Sequence, residues 1–180
     1  MNDVLDFWFG GPQERWFTKS DATDAEIRTR FGGTIEAALR GELKEWTETP
    51  RGTLASIIVL DQFTRNVFRD TPAMFAGDAR ARDIARALVA SGEDQKLAAS
   101  ERWFAYMPFE HSELMADQHE SMRLFSALAE QTGLTEPLEW ARKHFDVVAR
   151  FGRYPHRNAL LGRESTAEEI EFLAQPGSRF

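Results

Sequence analysis

The run Thr49-Pro50-Arg51-Gly52-Thr53-Leu54-Ala55-Ser56-Ile57-Ile58-Val59-Leu60-Asp61-Gln62-Phe63-Thr64-Arg65-Asn66-Val67-Phe68 decides the fold. Ile57, Ile58 and Val59 are β-branched, and read alone they suit a buried strand. Thr49 followed by Pro50 is a helix start, however: a capping side chain and then proline at the first helical position, where its missing N–H costs nothing. Apolar residues then recur at Leu54, Ile57, Ile58, Leu60, Phe63 and Val67, over a stretch longer than a typical strand. The run reads as a helix. Since alternating periodicity does not persist for a full strand anywhere else, the chain is expected to be all-α.

The flanking segments repeat this pattern. Val4, Leu5, Trp8 and Phe9 form a short helix stopped by Gly10-Gly11-Pro12. Ser20 or Asp21 caps a second with Ile27, Phe31 and Ile35 along one face, in which Gly32-Gly33 is expected to leave a kink or turn before a piece ending near Gly41. Thr71-Pro72 repeats the start signal for a helix through Phe75, Ala79, Ile84, Ala87 and Leu88 to Gly92. Leu97 to Met107 reads as a helix interrupted at Pro108. His111 to Gln131 reads as a long one with Leu114, Met115, Met122, Phe125 and Leu128 inward, stopped at Gly133. Pro137 opens another through Trp140, Phe145, Val148 and Phe151, and Ser165-Thr166-Ala167-Glu168 is read as a capping box before Ile170, Phe172 and Leu173. About eight or nine helices in one domain over residues 1–180 are expected, and helix pairs stacked as in a solenoid are compatible with the short links.

Composition narrows the chemistry. Among 180 residues there are 14 Phe and 5 Trp, so the core must be rich in aromatic groups, and there is no cysteine, which removes disulfides, thiolate nucleophiles and Cys-ligated metals. No run approaches the ~20 apolar residues that cross a bilayer, and the first ten residues do not read as a signal peptide. A cytoplasmic protein without membrane contact is expected. The net charge of −7 repels nucleic acid at long range. Within 142–163, however, Arg142, Lys143, Arg150, Arg153, Arg157 and Arg163 face Asp146 alone, a basic island in an acidic chain.

Three polar segments stand out against the absence of phosphate-binding glycine loops, zinc-protease motifs and nucleophile elbows. In the first, Asp61 and Arg65, and Gln62 and Asn66, are i,i+4 neighbours closing an apolar helix, either as an intrahelical ion pair with capping amides or with Asp61 aiming Arg65 at a ligand. In the second, Glu110, Glu113 and Asp117 share a helix face at i, i+3 and i+7, next to His111 and Gln118. Three carboxylates so placed repel unless protons, cations or arginines neutralise them, so either a metal held by Glu110, Glu113, His111 and His144 or the basic island is implied. The Glu-x-x-His spacing of di-iron bundles is missing, and no metal or cofactor is assigned. In the third, Gly152 and Pro155 make a turn that carries Arg150, Arg153, His156, Arg157 and Asn158. Guanidinium forks bind carboxylate or phosphate, and His156 suits acid–base work or donation to an anion. Opposite charges that meet across one cleft are a reason to suspect function.

These strings resemble a family. Ile57 to Phe63 with Arg65-Asn66, Phe68-Arg69 and Thr71-Pro72, Pro108 to Glu113 with Asp117-Gln118, Arg150 to Arg153 with Pro155 to Asn158, Leu161-Gly162-Arg163 and Ser165-Thr166 are similar to the bacterial domain-of-unknown-function family 924. The likeness runs nearly end to end, including Trp8-Phe9, Trp16, Trp46, Phe172, Gly177 and Phe180, although Thr64 stands where the family pattern has proline. The resemblance implies a tetratricopeptide-like superhelical all-α fold and no activity. Two functions are carried forward. One is a polar pocket for a small anionic phosphate or carboxylate ligand, with hydrolysis or transfer by His111 or His156 with Glu110 or Glu113. There Asp61, Gln62, Arg65, Asn66, Asp117, Gln118, Arg150, Arg153, Arg157 and Asn158 bind. The other is a protein or peptide interaction module.

Overall fold

Residues 1–178 are described by the computed structural model, and the terminal Phe180 named above lies outside them. The described residues form eight helices and no strand. They are α1 (Asn2–Phe9), α2 (Asp21–Arg40), α3 (Pro50–Ile57, continued by Ile58–Phe63 and Thr64–Val67), α4 (Asp78–Ala90), α5 (Ala99–Glu110), α6 (Met115–Thr132), α7 (Glu136–Phe151) and α8 (Ala167–Leu173). None of them is long and apolar enough to cross a membrane. The chain divides into two compact units, Met1–Pro108 and Phe109–Phe180.

In the first unit α3 is the central element. Thr49 accepts a hydrogen bond from the Gly52 N–H and Pro50 opens the helix, as its start signal requires. Nearly every residue from Gly52 to Thr64 is buried, which a helix tolerates only when other elements surround it. The segment Ile58–Phe63 is wound as a π-helix, a departure that periodicity does not signal. Phe63 meets Phe7, Trp8 and Phe31 at ring distances of 5.9, 5.7 and 5.0 Å, and Trp8 meets Phe104 at 5.6 Å. Ring packing of this kind, edge-to-face except for the tilted Phe31–Phe63 pair, adds to the area buried, and it places the abundant phenylalanines where the composition demands them.

Four local expectations are corrected. α2 is unbroken through Gly32-Gly33: Ser20 caps it, and Ile27, Phe31 and Ile35 are buried along one stripe, which outweighs the roughly 1 kcal/mol that each glycine costs a helix. Thr71-Pro72 launches only a 3-10 turn, Pro72–Phe75, and α4 begins at Asp78 because the chain must first pass Gly77 against the Leu60 carbonyl. Pro108 does not end its helix, which continues to Glu110 with proline in its last turn. The capping box is Thr166 with Glu169, one residue beyond the expected place.

In the second unit α6 packs on α7, the three-residue link from Gly133 to Thr135 folding one back on the other. Val147, Val148 and Tyr154 form its apolar centre, with Met115, Phe151 and Phe172 against them.

A Cβ built on Gly77 would lie 2.1 Å from the Leu60 carbonyl oxygen, whereas one on Gly32 meets nothing within 4 Å. Gly77→Ala should therefore lose about 1–3 kcal/mol, the usual cost of forcing a backbone shift. Gly32→Ala should gain roughly 0.5–1 kcal/mol by restricting the unfolded chain. Urea unfolding of both variants checks the pair, and equal effects would contradict the close approach.

Candidate functional site

In the first unit the polar end of α3 is built into neighbouring helices. Arg65 contacts Asp61, with its Nη1 2.6 Å from the Asp61 carbonyl and 3.2 Å from its carboxylate. Its fork is closed on Asp78 of α4 at 2.8 and 3.0 Å. Gln62 donates to the Asp61 carboxylate, which is fully buried. Asn66 donates to Asp24 of α2 at 2.6 Å, and Arg69 grips the same carboxylate with two hydrogen bonds. Burial alone would raise the Asp24 pKa, but the hydrogen bonds from Arg69 and Asn66 hold it below the ordinary aspartate value. The i,i+4 pairing expected of Asp61 and Arg65 is present, with Asp78 as an additional partner that spacing does not reveal.

In the second unit the second and third polar segments come together. The shared helix face expected of Glu110, Glu113 and Asp117 does not exist, because residues 111–114 are a connection, Glu110 ends α5 and Asp117 lies in the first turn of α6. Leu114, expected inward, is 57% exposed. Each carboxylate has its own partner. Asp117 accepts from Ser112 at 2.7 Å. Glu113 is forked by Arg163 at 2.6 and 2.8 Å and accepts the Tyr154 N–H at 2.8 Å. Burial would raise the Glu113 pKa, and those hydrogen bonds hold it lower.

Glu110, 2% exposed, is bound by both its backbone and its side chain. The Tyr154 hydroxyl donates to its carbonyl at 2.5 Å, and the Gln118 amide donates to that carbonyl at 2.8 Å as well as to the Tyr154 oxygen. Its carboxylate Oε1 lies 2.8 Å from His144 Nδ1, and the Trp140 carbonyl lies 2.9 Å from the same nitrogen. Both neighbours of Nδ1 accept, so Nδ1 carries the hydrogen and a neutral His144 keeps its lone pair on Nε2. The His111 ring is 6.2 Å from His144, His144 is 5.6 Å from Tyr154, and Tyr154 is 5.5 Å from His156. Two of the four histidines of the chain thus flank Tyr154, and a third, His111, lies beside His144. The Arg157 guanidinium lies 4.5 Å over the Tyr154 ring.

Electrostatics separate the roles. Burial first, and then the charge of Arg157, push His156 down to about 3, so it is neutral at pH 7 and does not titrate near neutrality as its type suggests. Burial pushes the Tyr154 hydroxyl far above its ordinary value, so it stays a donor. Gly152, left-handed at φ 69°, ends α7 and turns the chain into the 3-10 turn Pro155–Arg157. The remaining residues of the third segment are held by α8 and the chain before it. Arg150 pairs with Glu168, Arg153 forks Glu169 and reaches the Glu164 carbonyl, and Asn158 donates to Glu169 and Ser165. The Arg153 fork, ahead of the opposing effect of burial, holds Glu169 at about 2. Among the described residues no three His, Asp or Glu side chains are grouped to hold a metal ion, and Glu113, one of the four considered as ligands, is turned to Arg163.

Sequence reasoning underweighted His144 and did not single out Tyr154. A signal for His144 existed: it shares a buried stripe with Pro137, Ala141 and Val148 at helical spacing, and a histidine there needs a polar partner inside the core. Nothing in the spacing marks Tyr154.

The sequence pattern of a bacterial family described as protein of unknown function (DUF924) matches residues 4–177. A solved structure of a protein of unknown function from Agrobacterium tumefaciens is 40% identical, with a TM-score of 0.88 and 96% of each chain covered. No curated protein matches the chain.

Two acid limbs of stability follow from the shifted groups. The unfolded chain protonates His156 below about 6.5 and the folded chain only near 3. Stability contributed by the neutral ring is therefore complete above pH 6.5 and lost as pH falls toward 3. Glu169, depressed to about 2, contributes above its unfolded value of about 4.5 and loses that contribution as pH falls toward 2. Denaturant unfolding at pH 7, 5 and 3 should show a smaller decline for His156→Gln than for wild type between pH 6.5 and 5. Glu169→Gln should leave that window unchanged and flatten only the lower one. The same slope in all three proteins would contradict the assignment.

Proposed function

The chain belongs to the DUF924 family of bacterial proteins of unknown function, a membership that carries no activity with it, and we propose on the geometry of the second unit that it is an acid–base enzyme acting on a small anionic substrate. The single observation that carries the reading is the Glu110–His144 pair at 2.8 Å. A buried carboxylate on Nδ1 orients the imidazole, fixes its tautomer and stabilises the imidazolium formed when Nε2 takes a proton. His144 is the base, and Glu110 is a positioning residue that acts through it. Half-buried His111, 6.2 Å away, is the group through which protons exchange with solvent.

The reaction class is hydrolysis or group transfer on a phosphate or carboxylate compound. Nε2 takes the proton of the attacking water or hydroxyl and returns it to the leaving oxygen, so the histidine ends neutral. Arg157 supplies the positive potential for the anion, since its charge reaches Tyr154, His156 and Glu113. Arg150, Arg153 and Arg163 have their forks closed on Glu168, Glu169 and Glu113, so in this reading they hold the loop that carries Arg157.

The test is turnover of p-nitrophenyl phosphate and p-nitrophenyl acetate, with thermal shift against phosphorylated metabolites and carboxylates. His144→Asn should lower kcat/KM by about 10²–10⁴ with the circular dichroism spectrum unchanged, and Arg157→Ala should act mainly on KM. Wild type that neither turns over the panel nor is stabilised by any anion would sink the reading. So would a His144→Asn variant that loses stability and keeps activity.

A further inference from the structure

The first unit contains a cavity of about 880 Å³ lined by none of the residues of the three polar segments. It lies among the end of α2, the 3-10 turn Lys44–Glu48, the side of α3 that carries Thr53, Ser56 and Leu60, and the length of α4. Its size falls within the range of about 300–1,000 Å³ typical of small-molecule sites.

The walls differ in what they offer. Ala38, Leu60, Ile84 and Leu88 supply apolar surface. From α3, the buried residues Thr53 and Ser56 line the cavity. Thr53 donates its hydrogen to the Thr49 carbonyl at 2.9 Å and Ser56 to the Gly52 carbonyl at 3.2 Å. With those hydrogens committed to the helix backbone, the hydroxyls present lone pairs, so an occupant must donate to them. From α4, Arg80 and Asp83 also line the cavity, three residues apart, a spacing that puts their Cβ atoms about 5–6 Å apart. Neither has an ion-pair partner among the described residues. Arg80 lies over Gly41 at the C-terminal end of α2, where a Cβ would come within 2.3 Å of its Nη1.

We propose that this cavity binds a small zwitterion with an apolar body, an apolar α-amino acid or a short peptide of such residues. The ammonium group donates to the hydroxyl oxygens and Asp83, the carboxylate pairs with Arg80, and the side chain lies on the leucine and isoleucine surface. One ligand thereby satisfies opposite charges that stand side by side without pairing to each other, and it supplies the donors that the α3 hydroxyls lack. This site is separate in residues and chemistry from the acid–base pair, and either can stand without the other.

Isothermal titration of the full chain with L-leucine and L-leucyl-L-leucine tests it. At least one should bind saturably, one to one, and the tighter of the two identifies amino acid or peptide as the source. N-acetyl-L-leucine and L-leucinamide, each lacking one charge, should bind at least roughly tenfold more weakly, as should either zwitterion to Arg80→Ala or Asp83→Asn. Ala87→Trp, which fills the cavity from its exposed rim, should abolish binding with the melting temperature maintained. The proposal is overturned if neither zwitterion binds at about 10 mM, if end-blocked compounds bind equally, or if a long peptide capped at both ends binds better. Binding that survives Ala87→Trp also overturns it.

Discussion

The second unit depends on one residue being held at both its backbone and its side chain. Glu110 closes α5, and its carbonyl receives the Tyr154 hydroxyl and the Gln118 amide, so the end of one helix, the first turns of α6 and the loop after α7 are fixed to one oxygen. Its carboxylate then receives His144 from α7. A carbonyl at a helix end has no intrahelical donor, which is why it is available to a tyrosine 44 positions away. The position of the Glu110–His144 pair is therefore set by the same contacts that join the helices. The geometry of the proposed acid–base pair and the fold of this unit are one arrangement.

Such an arrangement is an expensive way to join helices. A buried carboxylate loses several kcal/mol of hydration before any partner is counted, and apolar side chains of similar volume fill a helix junction at no such cost. The surrounding residues behave accordingly. Gln118 has three acceptors about its amide nitrogen, the Glu110 and Ser112 carbonyls and the Tyr154 oxygen, and only two hydrogens to give them. His156 is buried beside Arg157 to the point of staying neutral. A polar core of this density is hard to account for by stability alone, and that is the physical ground for reading it as a site.

How much of this was legible follows from the range of the interactions. The helix from Thr49 was readable because its start is local chemistry and its stripe is long. The π turn at Ile58–Phe63 was not, because in a run buried on every side no apolar stripe remains whose period could reveal the change of winding. Gly32-Gly33 and Pro108 misled for the same reason: local propensity costs about 1–3 kcal/mol, and tertiary burial outweighs it. The acidic string Glu110 to Asp117 was correctly seen as demanding partners. It was wrongly wound as one helix, because Leu114 and Met115 continue an apolar pattern across a connection. The partners themselves, Arg163 for Glu113 and Asp78 for Arg65, lie 50 and 13 residues away, beyond any periodicity.

The basic island shows how composition and function part company. Six cations against one acid in 142–163 suggest a surface waiting for an anion. In the folded chain Arg150 and Arg153 are matched by acids just downstream, at 168 and 169, and Arg163 by one upstream, at 113. Counting charge in a window misses partners outside the window. The Arg157 guanidinium lies against an aromatic face and its side chain is buried, so its field acts on the histidine cluster in a medium that screens it little. The charge that matters to the proposed chemistry is a single arginine whose position is secured by three others.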